Sequence, residues 1–566
     1  MIMKTSFFLF IVGVFLFFSE RLPGQSRLFE LVSPERSGVR YANLIEETED
    51  FNITKQTYAY MGGGVAIGDI NGDGLPDIYF TSTQVHNKLY LNKGGFKFED
   101  ISRSAGVDDS TGSCLGVTMA DVDGDGDLDI YICKFGKRNV LYINNGNLTF
   151  TEKSHDFGLD LMSNSIQSVF FDYDRDGDLD CYVVLNGEVQ DVLQKRGYSD
   201  KLYRNDGNGH FTDVSVSAGI QDLKYGLSVV VGDINNDGWL DIFVGNDFEG
   251  SDILYINNHN GTFTDITAKA FGHSSHFTMG ADIADFNNDG WLDIASVDMM
   301  PEDYNRRQTQ LSVASLYSPA FDSAELGRNV LHLNRGNSSF SDIAYFAGVA
   351  ETDWSWACFF ADFDNDGWKD YFVANGLKRD AYDQDIVRYK FRDKKNTLPV
   401  VLQMPQYRVP NYTFRNNGDL TFSNESAAWG VGLGVTTNGA AVADLDGDGD
   451  LDMVWNNLDT TAIIYKNLAV EQKSGHFLRI KLQGLGKNPY SIGSRVTIYC
   501  GNTQQVQELA PSRGFISCME PILHFGIGTA TTIDRIVVRW SNGSETVITE
   551  RTKCNQVLTI RQPIER

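Results

Sequence analysis

A nine-residue pattern occurs seven times in this chain, with acidic or amide side chains at positions one, three, five and nine and glycine at position six. One copy, DVDGDGDLD, runs from Asp121 to Asp129 between two apolar runs. A glycine at that point lets the backbone turn sharply through φ > 0, so the loop can fold its own carboxylates around one centre. Calcium takes six to eight hard oxygens at about 2.3–2.6 Å, carboxylates and carbonyls mixed. The carbonyl of residue seven, Asp127 here, can point inward while its side chain points out. A single copy would read equally as an acidic surface turn, but seven copies, each before an apolar run, read as metal loops. They are not the helix–loop–helix calcium hand, because the closing carboxylate stands at nine rather than twelve and the flanks read as strands.

The expected ligands follow position by position. Loop one supplies Asp69, Asn71, Asp73 and Asp77, and loop two Asp121, Asp123, Asp125 and Asp129. Loop three supplies Asp172, Asp174, Asp176 and Asp180, and loop four Asp233, Asn235, Asp237 and Asp241. Asp285, Asn287, Asp289 and Asp293 form loop five, and Asp362, Asp364, Asp366 and Asp370 form loop six. Asp444, Asp446, Asp448 and Asp452 form loop seven. Up to seven calcium ions are expected, with weaker sites in loops one, four and five, where asparagine at position three removes a charge but keeps an oxygen. The loops hold 28 aspartates against a net charge of −27, so the acidity is mostly site chemistry. It also disfavours nucleic acid as a general partner.

Around each loop the sequence repeats a four-part unit. A small apolar run enters the loop (GGGVAIG), another leaves it (DIYFTS), then come LYLNKGG and FKFEDISRSAGV. Later copies show LYINNG, LYRNDG, LYINNH and LHLNRG. The parts are short, rich in β-branched and aromatic residues, and punctuated by turn signals. Four antiparallel strands per unit, with loop starts 52, 51, 61, 52, 77 and 82 residues apart, predict an all-β, seven-bladed propeller. The seventh unit lacks its fourth strand. FELVSPERSGV, residues 29–39, resembles the fourth strands elsewhere and is expected to close the ring there.

Residues 1–26 read as a secretory signal, with Lys4 before a twelve-residue apolar core, Phe7 to Phe18, too short to span a bilayer. No other run is long enough to span, so a secreted, extracellular or periplasmic protein is expected. The propeller is assigned to 27–470. Residues 471–566 lack the loops and read as a small antiparallel β domain, with a hairpin signal at Asn542–Gly543. Among the seven cysteines, Cys500 and Cys518 flank a short segment and are a candidate pair.

Two connections between second and third strands are long, 296–329 and 376–412, and 186–200 is a shorter third. They should share the face opposite the metal loops. Between Lys378 and Arg408 stand eight basic and four acidic residues, an excess that reads either as a contact site for an acidic ligand or as a segment docked on the protein's own acidic surface. Candidate ligand contacts are Lys378, Arg379, Arg388, Arg392 and Arg408, with Trp354 and Trp356 either lining the same mouth or packing within a strand. No HExxH, GxSxG, phosphate-loop or dinucleotide pattern occurs.

The loops and their flanks resemble the FG-GAP/VCBS type of repeat found in integrin alpha-chain propellers. SIGSRVTIY (491–499), LHFGIG (523–528) and VVRWSNG (537–543) resemble an ASPIC/UnbV domain, although Ile527 stands where leucine is expected. The combination resembles the cartilage acidic protein family. DWSWACFFADFDNDGWKD and ELGRN resemble its bacterial versions, particularly those of Bacteroidetes. The resemblance implies a secreted calcium-binding adhesion or ligand-binding module for a glycan or protein, and implies no activity. A calcium-dependent polysaccharide lyase or glycoside hydrolase, and a purely structural extracellular module, are the competing classes.

Overall fold

The computed structural model describes residues 27–564 apart from 57, 188–197, 222, 249, 311–324, 384 and 386–396. The expected signal segment, Arg388 and Arg392 lie outside the described residues. Among those described, the chain forms seven four-stranded antiparallel units in a propeller-like arrangement, followed by a second β domain. In unit one the strands are Val65–Gly68, Asp77–Phe80, Lys88–Asn92 and Phe98–Asp100. The first two are buried along their whole length, as continuous apolar runs require. A one-turn helix ending on a left-handed glycine follows, Ser102–Ala105 capped by Gly106. Its Ser102 hydroxyl accepts the Leu89 amide at 2.9 Å, tying the fourth strand back to the third.

Unit seven takes three strands from Thr437–Ala443, Asp452–Asn457 and Ile463–Asn467. Its fourth is Phe29–Val32, paired antiparallel with Phe29 opposite Asn467 and Val32 opposite Ile464. Unit one has the same register, Asn92 opposite Phe98.

A belt of asparagines joins neighbouring units. The third strand of every unit ends in asparagine: Asn92, Asn144, Asn205, Asn257, Asn334, Asn416 and Asn467. Each side-chain amide donates to a carbonyl in its own loop and to the carbonyl of position two in the preceding unit's loop. Asn144 reaches Ile70 O at 2.9 Å, Asn416 reaches Phe286 O at 2.9 Å, and Asn92 reaches back to Leu445 O of unit seven at 2.9 Å.

The second domain packs a three-stranded sheet, Leu523–Gly528/His476–Gln483/Gln556–Arg561, against a four-stranded one, Thr503–Glu508/Arg495–Cys500/Arg535–Arg539/Glu545–Ile548. Leu478, Val496, Phe525, Ile536 and Trp540 fill the space between them. The domain is not purely antiparallel: Gln556–Arg561 runs parallel to His476–Gln483, because the chain returns to that edge from the far sheet. Asn542–Gly543 does make the hairpin turn, with Gly543 at φ 85°.

From this domain a narrow hairpin, Ser512–Arg513 and Ser517–Cys518, reaches in among the first strands of the units, with Cys518 paired parallel to Ala66. Its tip exchanges backbone hydrogen bonds with Ala281 of unit five through Gly514, at 3.2 and 2.9 Å. Ile516 O accepts from Val117 of unit two at 3.2 Å, and its amide donates to Gln167 Oε1 of unit three at 3.1 Å. Phe515 is fully buried, 5.3 Å from the Trp356 ring. Room for the hairpin comes from glycines on the inner strands. A Cβ on Gly64 would lie 1.7 Å from Ile516 O, and one on Gly439 would lie 2.9 Å from Ser517 Oγ. The seven cysteines are free thiols, and the candidate Cys500–Cys518 pair does not form. Cys518 is buried beside Ala66, whereas Cys500 ends a strand of the second domain.

Candidate metal centres and the loop rim

Each loop joins the first and second strands of its unit, so the seven share one rim. In loop two, Asp121 Oδ1 accepts the amides of Gly124 and Asp125 at 2.7 and 3.1 Å, and Oδ2 accepts Gly126 at 2.8 Å. The loop is thereby wound around its own first carboxylate. Asp129 is buried and ties three segments together, accepting from Val122 at 2.8 Å and from Asn144 at 2.8 Å. The winding also needs a left-handed residue at position four. Gly72, Gly124 and Gly447 serve in loops one, two and seven, Asn236, Asn288 and Asn365 in loops four to six, and Arg175 in loop three. Glycine or asparagine at that position was a visible signal beside the glycine at six.

This geometry brings the expected ligands together. Oxygens of Asp121, Asp123 and Asp129 lie within 4.8 Å of one another, as do those of Asp172, Asp174 and Asp180, of Asp362, Asp364 and Asp370, and of Asp444, Asp446 and Asp452. Burial, then repulsion from neighbouring carboxylates, pushes Asp121 up to about 7 and Asp129 up to about 8. Asp77 and Asp172 are likewise raised to about 7. Asp172 Oδ1, Asp293 Oδ2 and Asp446 Oδ1 are buried without a hydrogen-bond donor among the described residues. Convergent carboxylate oxygens, some orphaned and all costly to charge together, are a donor set that fits a hard divalent cation.

The loops differ in their cationic neighbours. Lys466 Nζ lies 2.6 Å from both Asp446 Oδ2 and Asp448 Oδ2 in loop seven, and Arg479 Nη1 lies 2.9 Å from Asp444 Oδ2. Arg415 pairs with Asp364 and Asp366 in loop six, and Arg539 with Asp233 in loop four. Among the described residues, no lysine or arginine pairs with the ligands of loops one and two. Sequence reasoning missed Arg479 and Arg539 because they come from the second domain, which lies over the loop rim, and Arg415 and Lys466 because they stand on the third strands of units six and seven rather than in the loops.

On the opposite face, Gln310 and Asp383 form a bridge between the insertions of units five and six, and the Arg306 guanidinium stacks 3.7 Å over the Tyr407 ring. Lys378 is buried, pairs with Asp459 and donates to Ile45 O at 2.7 Å. Arg379 lies 2.6 Å from Glu47. These two basic side chains dock on the protein's own acidic groups, while Arg408 is exposed. Trp354 and Trp356 are 5% and 4% exposed and pack inward, against Tyr382 and Phe515 respectively.

Residues 69–132, 190–244, 233–296, 319–373 and 400–455 match the FG-GAP-like repeat, and residues 484–566 match the ASPIC and UnbV family. The chain is an FG-GAP repeat protein with an ASPIC and UnbV domain. Loop three of this FG-GAP protein falls outside the matched spans but shares the winding of the others. Cartilage acidic protein 1 of Mus musculus is 26% identical over 554 residues, covering 91% of this chain and 75% of the relative. Cartilage acidic protein 1 of Homo sapiens is 25% identical over 533 residues, covering 87% and 70%. Among solved structures, YCF48 bound to D1 peptide aligns with a TM-score of 0.40 at 7% identity, over 78% of this chain and 95% of that one. No helix among the described residues is long and apolar enough to cross a membrane.

Proposed function

We propose that this protein is an exported, calcium-loaded, seven-bladed β-propeller, closed by its N-terminal strand, that binds an extracellular glycan or protein. Residues 27–470 form the propeller and 471–566 the domain seated on its loop rim. The observation that carries the reading is the recurrence of one carboxylate cluster, with oxygens within 4.8 Å, in loops two, three, six and seven. Positions one, three, five and nine would hold the ion with the position-seven carbonyl, and the ion would cancel the repulsion that raises the loop aspartates. Loops two and three, with aspartate at position three and no lysine or arginine paired to their ligands among the described residues, are the tightest sites. Loop four, with Asn235 at position three and Arg539 on Asp233, is the weakest. Export accords with the relatives, whose name places them in cartilage.

Titration calorimetry with calcium, checked by metal analysis after dialysis, tests the reading. Several ions per chain are expected, and no more than one would overturn it. A glycan array read for retention and for new reducing ends then separates binding from lyase or hydrolase turnover.

A further inference from the structure

Where the second domain meets loops one and two there is a cleft of about 550 Å³. Asp69 and Gly126 stand on its loop side, and Arg479, Lys481, Tyr490 and Val557 on the other. A volume of this size suits a small ligand, since such sites run from about 300 to 1,000 Å³ and often lie between domains.

The wall combines two kinds of chemistry. Arg479 is buried, its side chain 6% exposed, and its two terminal nitrogens are held by Asp444 and Glu520. Its Nε–H has no acceptor among the described residues, an unusual state for a buried guanidinium donor. Lys481, half-buried on the same strand, has no carboxylate partner among the described residues. The Tyr490 hydroxyl donates to Gly126 O at 3.1 Å, which fixes the ring as a wall of the cleft. Val557 is an apolar side chain 51% exposed. One free guanidinium N–H, on an arginine whose charge Asp444 and the cleft-lining Glu520 already balance, and one lysine without a carboxylate partner stand beside an aromatic ring and an apolar side chain, which suits a compact ligand carrying one carboxylate on a body with a C–H face. A uronic-acid sugar has both.

We propose that this cleft binds a uronic-acid-containing saccharide, with Arg479 and Lys481 recognising the carboxylate and Tyr490 packing against the sugar ring. The inference rests on the calcium-loaded, ligand-binding reading above, and calcium has a specific part in it. Asp69 would repel the ligand's carboxylate unless an ion in loop one neutralised it, so binding should require calcium.

The test titrates the full-length protein in calcium with digalacturonate and with its neutral counterpart, galactobiose. Digalacturonate should bind, and galactobiose should bind at least about tenfold more weakly, as loss of a charge-assisted contact implies. Lys481→Glu should weaken digalacturonate by a similar factor, and Val557→Trp, which fills the cleft, should abolish binding. Both variants should keep the wild-type calcium count and melting temperature. No digalacturonate binding by calcium-loaded protein overturns the proposal, as does capture of an Asp/Glu-rich peptide in its place. Unchanged affinity in both variants overturns the location while leaving the ligand-binding reading standing. Failure of that broader reading would show separately, in the calcium count.

Discussion

The asparagine belt makes a sharp prediction at Asn416, where the next residue, Asn417, serves as its control. Asn416 is buried, and its amide donates to Phe286 O and to Lys369 O at 2.9 Å each, while its carbonyl accepts Gly418 N at 2.9 Å. Asn416→Ala removes three neutral hydrogen bonds at about 1 kcal/mol each and leaves two carbonyls facing a gap, for a loss of about 3–5 kcal/mol. Asn417, one residue on, bonds only within its own exposed turn, to Thr421 and Ser423 at 3.0 Å. Asn417→Ala should cost about 0.5 kcal/mol or less. Urea unfolding at fixed calcium compares the two midpoints. If Asn416→Ala falls within about 1 kcal/mol of Asn417→Ala, the belt does not hold neighbouring units together and the reasoning fails.

Three further outcomes are expected. Phe515→Ala should cost about 3–5 kcal/mol, as for other large buried aromatics, and a stability matching wild type in urea would show that the 512–518 hairpin is dispensable. Calcium should raise the melting temperature by linkage, and Asp125→Ala should lose one ion and part of that rise; equal melting temperatures in calcium and in chelator would refute this. Asp247, buried under Tyr58 and outside the aspartate loops, is pushed up to about 7 by burial. Its folded value exceeds its unfolded one, so its contribution is complete below about pH 4 and is lost as pH rises through 7. Asp247→Asn should therefore raise stability at pH 8 and have little effect at pH 4, and a variant whose stability tracks wild type at both values would contradict it.

The loops and the strand runs around them were legible because both are local: a nine-residue spacing and short continuous apolar runs on either side of it. Residues 29–32 could be matched to a missing strand for the same reason, since the apolar pattern of a fourth strand recurs in every unit. The asparagine belt was visible only as a turn signal in LYINNG, because its second partner lies in the preceding unit. The hairpin at 512–518 gave no local sign, being short and polar at its base, with partners from several units hundreds of residues away. Lys378 and Arg379 stood out as excess charge, yet their burial is decided by Asp459 and Glu47, whose positions no local pattern supplies. Trp354 and Trp356 alternate like strand residues and pack as such, one of them against Phe515 of the distant hairpin.

The 512–518 hairpin also bears on how the chain reaches this state. Ser517 Oγ accepts the Val65 amide across 452 residues of sequence. Contacts of such separation form late and slowly, because the entropy of closing a long loop comes before any reward. The first inner strand is therefore made long before its partner in the hairpin exists, and until then its apolar edge is open to aggregation. The same long-range fastening should slow unfolding once complete, favouring persistence over rapid assembly.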